Sequence, residues 1–181
     1  MKNGRIVYII DGPDGTGKST LSNKLSDTFK LPIYHLTYFS DPELHNEQFS
    51  NALDLLRNSD TGFILDRYIF SEQVYSDVYR NSKYIPLLHD CFNALTYSDV
   101  NVILTVPKDK DRYLEDFKKL CAERDEMYGP EKMGAIYDGY NSFFDKKWNF
   151  NISRYDLHDI IDSTEAKRYE FSSETKKYEI Q

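Results

Sequence analysis

The sequence predicts an α/β protein with three layers, in which a parallel sheet of about five strands is flanked by helices. Short apolar runs alternate along the chain with longer segments that carry apolar residues at helical spacing. The first apolar run, residues 5–10, does not alternate with polar residues, which indicates a central strand buried on both faces. A glycine-rich turn leads from this run into the first helical segment. Strands and helices in this order form parallel sheets, with binding sites at the carboxyl ends of the strands.

Composition narrows the class of protein. With 181 residues, 40% of them hydrophobic, the chain is expected to form a single domain over 1–181. Its net charge of -7 gives no general attraction to nucleic acid. The two cysteines, Cys91 and Cys121, lie outside any metal-ligand spacing, which is typical of reduced thiols. Because no signal peptide or membrane-spanning run is found, we expect a cytoplasmic protein without membrane contacts.

The elements follow from the same patterns. The stretch Ser40-Asp41-Pro42-Glu43 is typical of a helix start, because a capping side chain precedes a proline and an acid in the first turn. The polar segment 162–181 fits a short helix, an edge strand or a mobile tail. The predicted strands cover 5–10, 31–36, 63–66, 102–106 and 151–156. The predicted helices cover 18–30, 42–58, a segment that begins at 71, 86–97, 109–123 and 131–148.

The turn after the first strand carries the pattern G-x-x-x-x-G-K-[ST], from Gly12 to Ser19. Between a strand and a helix this pattern predicts a phosphate-binding loop (P-loop), because glycines let backbone N–H groups close around phosphate oxygens. Lys18 is expected to reach the β- and γ-phosphates, and the Ser19 hydroxyl to bind Mg²⁺. The sequence therefore predicts that the chain binds a nucleoside triphosphate. The residues expected to hold it are Gly12, Asp14, Gly15, Thr16, Gly17, Lys18, Ser19 and Thr20.

A P-loop by itself does not separate switches, motors and kinases. The chain lacks the Asn-Lys-x-Asp sequence with which GTP-binding switches read guanine, and it lacks a second-strand signature of motor ATPases. Its length suits a small P-loop kinase, which leaves a kinase as the favoured interpretation.

Two segments carry a resemblance to a known family. The loop from Asp11 to Thr20 closely resembles that of thymidylate kinases, in which an acidic residue at the position of Asp14 contacts the sugar hydroxyl of the acceptor. The segment 65–75 resembles that family's D-R-[aromatic]-x-x-S-x-x-[small]-Y sequence. The resemblance extends to bacteriophage-type members of the family. It implies phosphoryl transfer from ATP to a deoxynucleoside monophosphate, namely thymidylate or a modified deoxyuridylate, with Mg²⁺ as the metal.

Roles for further residues follow from this resemblance and from the need to bring two anions together. The Arg67 guanidinium is expected to hold the acceptor phosphate, and Asp66 to orient a Mg²⁺-bound water. A mobile lid over about 107–131 is expected to supply Arg124 to the transferring phosphoryl group. The predicted catalytic residues are Lys18, Asp14, Asp66, Arg67 and Arg124, and the predicted metal ligands are Ser19 and Asp66. The predicted acceptor-binding residues are Asp14, Tyr38, Arg67, Tyr68, Ser71 and Tyr75.

The sequence departs from the thymidylate kinase pattern at two places, where that family carries an arginine for the acceptor phosphate and an arginine that reads the base. The loop 35–40 has no arginine for the acceptor phosphate, and Arg57 lies too close to the third strand to read the base. His35 and Tyr38 are candidate substitutes. Three alternatives therefore stay open: a deoxynucleoside acceptor, a hydroxymethylated base in DNA, and a P-loop module that senses nucleotide without catalysis. A homodimer also stays open. The DNA alternative requires a basic groove near the lid. The candidate residues of that groove are Lys108, Lys110, Lys118 and Lys119.

Overall fold

A five-stranded parallel sheet forms the centre of the computed structural model, with the strand order β2-β3-β1-β4-β5. The structure describes residues 5–80, 87–124, 130–161, 169–171 and 178–180. The predicted three-layer α/β fold is confirmed. The strands of the sheet are β1 (Val7–Asp11), β2 (Ile33–His35), β3 (Phe63–Asp66), β4 (Val100–Leu104) and β5 (Ile152–Arg154).

Helices connect the strands and cover the two faces of the sheet. Helix α3 continues into a π-helical turn, Ser76–Arg80. None of the helices in the described ranges is long and apolar enough to cross a membrane. The α-helices are α1 (Lys18–Phe29), α2 (Pro42–Asn58), α3 (Ile69–Tyr75), α4 (Leu88–Ala94), α5 (Lys110–Arg124), α6 (Pro130–Asn141) and α7 (Leu157–Ile161).

Strand β1 is the central strand, and all five of its residues are buried. Because side chains alternate across a strand, Val7 and Ile9 enter the larger apolar core, while Tyr8 and Ile10 enter a smaller core on the other face. In the register of the sheet, Ile10 lies opposite Asp66 and Asp11 opposite Leu104. The carboxyl ends of β1, β3 and β4 therefore meet at one edge of the sheet.

Local sequence explains where α2 begins. The Asp41 carboxylate accepts a hydrogen bond from the backbone N–H of Glu43 at 2.8 Å, and Pro42 is the first helical residue. The cap satisfies an N–H that has no partner within the helix, and proline has no N–H to satisfy. The predicted start of this helix is confirmed.

Some predicted bounds are wrong. Strand β4 begins at Val100 and ends at Leu104, because Val100 pairs with the start of β1 and the Val106 N–H folds back to the Leu104 carbonyl. Helix α6 ends at Asn141, before the predicted 148, because the following residues form i, i+3 turns. Helix α4 is shorter than the predicted 86–97.

The last described residues form a separate antiparallel pair. Strands β6 (Tyr169–Phe171) and β7 (Tyr178–Ile180) pair with each other, outside the five-stranded sheet. Of the three interpretations of the segment 162–181, a strand is thus found for these six residues. Neither Cys91 nor Cys121 forms a disulfide.

Candidate active site

The loop between β1 and α1 lies tightly against the end of β4. A Cβ atom on Gly12 would come within 2.3 Å of Thr105 Oγ1 and 2.7 Å of the Thr105 carbonyl oxygen, so no larger residue fits. The Thr16 hydroxyl donates to the Pro13 carbonyl at 2.7 Å and lies 2.7 Å from Thr105 Oγ1. Gly17, with φ +85°, precedes α1, and no side chain caps that helix. Its first N–H groups are therefore suited to an anion.

Lys18 is buried directly behind this loop. Its Nζ donates to the Pro13 carbonyl at 2.5 Å and lies 3.6 Å from Asp14 Oδ1. Burial, followed by the nearby positive charge of Arg67, lowers the pKa of Lys18 to about 8. Ser19 and Thr20 are exposed at the start of α1. The loop thus presents a cation, two hydroxyls and a helix N-terminus together, as a bound triphosphate requires.

Asp14 links the loop to a second cation. Its carboxylate accepts a hydrogen bond from Arg67 Nη2 and another, at 2.9 Å, from the Tyr75 hydroxyl. Its backbone carbonyl accepts from the Tyr113 hydroxyl at 2.9 Å. Although burial acts to raise the pKa of Asp14, the positive charges of Arg67 and Lys18 outweigh it and lower that pKa. Asp14 is therefore a carboxylate held between two cations.

Arg67 adopts a backbone conformation that is unusual for its type. Its φ is +70°, in the left-handed region that non-glycine residues rarely occupy, and its N–H donates to the Ile10 carbonyl at 2.8 Å. Its Nη1 lies 3.4 Å from Ser71 Oγ. Strained residues of this kind are concentrated at functional sites, where the surrounding structure enforces them.

The buried Asp11 carboxylate fixes the start of α3 and so supports Arg67. It accepts hydrogen bonds from the backbone N–H groups of Tyr68 (2.9 Å) and Ser71 (3.0 Å) and from the Tyr140 hydroxyl (2.8 Å). The Ser71 hydroxyl donates to the same carboxylate. From the sequence Asp11 counts only as part of the loop motif, because nothing local indicates partners that lie 57 or more residues away.

Asp66 ends β3 with one oxygen partnered and one not. Oδ2 lies 3.0 Å from His35 Nδ1, whereas Oδ1 is buried and has no hydrogen-bond partner within the described part of the chain. Those same residues contain no group of three or more metal-ligating side chains. Magnesium commonly needs one or two carboxylates, because substrate phosphates and waters complete its shell. The orphaned Asp66 oxygen and the exposed Ser19 hydroxyl therefore fit the predicted metal.

A cavity of about 300 Å³ opens next to Asp14 and Arg67. This volume lies at the lower end of the range for small-molecule sites. The floor contains the buried rings of Phe49 and Tyr68. All six predicted acceptor-binding residues line the cavity: Asp14, Tyr38, Arg67, Tyr68, Ser71 and Tyr75.

The polar residues that line this cavity and were not identified by the sequence analysis include His45, Gln48, Glu72 and Arg80. Arg80 donates to both carboxylate oxygens of Glu72, at 2.7 and 3.0 Å. The spacing of an acid and an arginine eight residues apart is the only local signal of this pair. Arg57 pairs with Asp90 at 3.5 Å instead and does not line the cavity.

The lid prediction falls partly on residues outside the described ranges. Arg124 is the last residue of α5, and its side chain and residues 125–129 are not described. Near the lid, Lys108 pairs with Asp159 at 2.5 Å and Lys110 pairs with Asp138 at 2.6 Å. These pairs reduce the positive charge that a nucleic-acid groove would need.

Strand order, the loop after the central strand and the helix that follows it define a P-loop α/β protein.

No protein-family model matches the chain. It is 33% identical over 75 residues to the uncharacterized, prophage-derived protein YorR of Bacillus subtilis, a match over 41% of this chain and 45% of that protein. It is 32% identical over 83 residues to a provisionally named thymidylate kinase of Acidianus bottle-shaped virus, over 43% of this chain and 52% of the relative. These matches span about half the length of each relative. A cytidylate kinase of Ignicoccus hospitalis is 27% identical over 87% of this chain and 89% of its own.

Solved structures with the same fold include two nucleotide-bound proteins. Bacillus subtilis YorR in complex with phosphorylated GDP superposes with a TM-score of 0.64 at 22% identity, over 83% of this chain and 85% of that one. Deoxyadenosine kinase of M. mycoides with bound dATP gives a TM-score of 0.56 at 16% identity, over 82% of this chain and 90% of that one. At these identities the likeness establishes the fold. The predicted resemblance to P-loop nucleotide kinases is confirmed.

Proposed function

We propose that the chain is a kinase that transfers the γ-phosphate of ATP to a deoxynucleoside monophosphate, with thymidylate or a modified deoxyuridylate as the acceptor. One observation carries the proposal: Asp14 Oδ1 contacts both Lys18 of the phosphate loop and Arg67 of the adjoining cavity. A donor site and an acceptor site that share a wall are what in-line phosphoryl transfer requires. The names of the relatives from Acidianus bottle-shaped virus and Ignicoccus hospitalis support the same class of reaction.

The side chains of this chain supply position and charge, and no covalent intermediate is needed. Lys18 and the N–H groups from Gly15 to Thr20 hold the donor phosphates, and the Arg67 guanidinium holds the acceptor phosphate with two parallel hydrogen bonds. When the phosphates bind, Lys18 exchanges the Pro13 carbonyl for phosphate oxygens. Arg124 would close over the transferring group from the end of α5.

Ser19 and Asp66 would hold the metal. Bound Mg²⁺ neutralises charge that develops on the phosphate oxygens during transfer. Because the contact with His35 engages only Oδ2 of Asp66, Oδ1 would be the oxygen that binds the metal.

A deoxynucleoside acceptor is the second candidate. It is supported by the fold that the chain shares with the M. mycoides deoxyadenosine kinase. Such an acceptor lacks the phosphate that Arg67 would bind, so its turnover would depend much less on Arg67. The DNA-base alternative finds less support, because Lys108, Lys110 and Lys119 already pair with carboxylates. A sensing module would bind ATP without turnover.

An acceptor panel tests the proposal directly. The full chain is incubated with γ-labelled ATP, Mg²⁺ and, separately, dTMP, dUMP, 5-hydroxymethyl-dUMP, the other deoxynucleoside monophosphates, thymidine, and plain or hydroxymethylated DNA. We expect a labelled diphosphate from a monophosphate acceptor. Label transfer to thymidine or to DNA alone would replace the proposal by the corresponding alternative, and ATP binding without any transfer would favour the sensing module.

Two variants assign the roles in the reaction. Lys18→Ala should abolish transfer while circular dichroism remains unchanged, because the donor phosphates lose their buried cation. Arg67→Ala should raise KM for the acceptor by about 10- to 100-fold, the loss expected for a charge-assisted pair, with a far smaller change in KM for ATP. Arg57→Ala, which removes an arginine outside the cavity, is the matched control. Equal rises in both KM values for Arg67→Ala would make that residue structural.

A further inference from the structure

Four residues of the cavity form a cluster that the phosphate chemistry does not use: Tyr38, His45, Glu72 and Arg80. Arg67 lies just before α3, and Arg80 ends the π-helical turn that continues this helix, so the helical segment runs along the cavity from one guanidinium to the other. A nucleotide carries its phosphate at one end and its base at the other. An acceptor whose phosphate binds Arg67 therefore presents its base to the Arg80 cluster.

The Glu72 carboxylate is surrounded by donors. It accepts two hydrogen bonds from Arg80 and one, at 2.9 Å, from the Ser76 hydroxyl. His45 Nε2 lies 3.0 Å from its Oε2 but outside hydrogen-bond geometry. Because three hydrogen bonds and the adjacent His45 ring surround the carboxylate, little room is left for Glu72 to accept from a ligand. It fixes Arg80 instead, and the Arg80 guanidinium carbon lies 4.3 Å from the ring centroid of Tyr38.

The chemistry that the cluster offers to a base is therefore donation. Arginine has five N–H groups, of which Glu72 takes two among the hydrogen bonds of the described residues. The amide of Gln48, which could otherwise read an amino group, is tied to the backbone of Thr37 through both its oxygen (2.9 Å) and its nitrogen (2.8 Å). The Glu72–Arg80 pair is partly buried, and an ion pair withdrawn from water is weak evidence for stability, so its presence in a cavity calls for another reason.

We propose, on the basis of the function proposed above, that Arg80 selects acceptors whose base carries an oxo group where cytosine and adenine carry an amino group. Thymine, uracil and guanine present a carbonyl oxygen at that position, whereas the amino groups of cytosine and adenine are donors and meet another donor. Arg80 donates to the base, and Glu72 is a positioning residue that acts through Arg80. The class of acceptor includes thymidylate and guanylate and excludes cytidylate and adenylate.

Two pairs of closely similar nucleotides test the selection of the base with a small change in the ligand. The nucleotides dUMP and dCMP differ in the 4-oxo or 4-amino group and in the proton that the oxo form carries on N3, and dIMP and dAMP differ in the same way at C6 and N1 of the purine. Calorimetric binding of each monophosphate to the full chain without ATP, and kcat/KM with ATP and Mg²⁺, should favour the oxo member of each pair by about tenfold or more. Equal affinities, a preference for the amino members, or failure of all four monophosphates to bind would overturn the inference. Binding with oxo preference but without turnover would instead refute the kinase function alone.

Variants separate selection from structural support. Arg80→Gln, which offers both a donor and an acceptor, should reduce the oxo-to-amino ratio about tenfold and leave ATP binding unchanged. Glu72→Gln should reduce the same ratio, and the double variant should reduce it no further, because the two residues act as one unit. Arg80→Lys keeps the charge but loses the fork, and it provides a second measurement if Arg80→Gln does not fold. Arg57→Gln is the control. A ratio that stays constant in a folded Arg80 variant would show that the cluster is structural only.

Discussion

Three charged side chains set the electrostatics of the phosphate loop at the scale of single residues. Lys18 and Arg67 are cations within a buried region, and Asp14 lies between them as their shared counter-charge. The charge of Asp14 favours the protonated form of Lys18, but burial and the charge of Arg67 outweigh it and lower the Lys18 pKa to about 8. Bound triphosphate adds negative charge next to Lys18 and must raise that pKa again.

The rise of the Lys18 pKa when triphosphate binds predicts that the protein takes up a proton on ATP binding. Below pH 8 Lys18 already carries its proton, so binding needs none; above pH 8 the lysine is largely neutral in the free protein and gains a proton as the phosphates bind. Calorimetry in two buffers of different ionisation enthalpy should give an uptake that rises towards about one proton per ATP between pH 8 and 9. The uptake should vanish in Lys18→Arg and persist in Lys24→Arg, an exposed lysine of the same helix. No uptake in the unaltered protein above pH 8 would contradict this account.

At the scale of elements, the site depends on how the start of α3 is attached to β1. Arg67 follows β3 and has a left-handed backbone conformation. This conformation is held because two backbone N–H groups of the next turn donate hydrogen bonds to the Asp11 carboxylate. The Tyr140 hydroxyl joins α6 to the same carboxylate. The geometry of the acceptor site is thus set by one buried acid that does not itself line the cavity.

Loss of this acid should therefore cost stability and acceptor affinity together. Asp11→Asn leaves buried donors without a charged acceptor, and we expect the free energy of unfolding to fall by about 3 kcal/mol. Tyr140→Phe removes the hydroxyl that lies within hydrogen-bond distance of Asp11 (2.8 Å) and of Ser71 Oγ (2.7 Å), and it should cost about 1 kcal/mol. Urea denaturation at pH 7 measures both losses, with Asp27→Asn, an exposed acid on α1, as the control. A loss for Asp11→Asn no larger than that of the control would mean that Asp11 does not hold α3.

The same elements explain what sequence patterns can predict. Strand β3 is found at the predicted 63–66, and the cap of α2 at Asp41, because both depend on neighbouring residues only. The Arg80 cluster was missed because Glu72 and Arg80 are joined across a π-helical turn, whereas a pattern search assumes 3.6 residues per turn. The role of Asp11 was missed because its partners are distant in sequence. Local signals predict elements and the loop, while contacts between elements decide the rest of the site.

On the scale of the whole molecule, the candidate site and the buried Arg5 side chain lie at opposite ends of the central strand. The phosphate loop and the cavity adjoin the carboxyl ends of the strands. Arg5, by contrast, is buried just before the amino end of β1. Its guanidinium donates to the carbonyls of Leu56 (2.6 Å) and Ser59 (2.5 Å) at the end of α2, and it pairs with Asp99 before β4. One side chain thus joins β1, the carboxyl end of a helix and the start of a neighbouring strand.

This separation predicts that stability and catalysis can be altered independently. Arg5→Met leaves Asp99 without its charge partner and the last carbonyls of α2 without donors, so the free energy of unfolding should fall by about 3 kcal/mol or more. Arg57→Met is the matched control, because its pair with Asp90 is nearly half exposed on both sides and should be worth less than about 1 kcal/mol. Urea denaturation measures the loss, and kcat and both KM values, corrected for the folded fraction, should stay unchanged in Arg5→Met. A change in acceptor KM at full folding would mean that the two ends of the sheet are coupled, and that the acceptor site depends on the position of α2 as well as on Asp11.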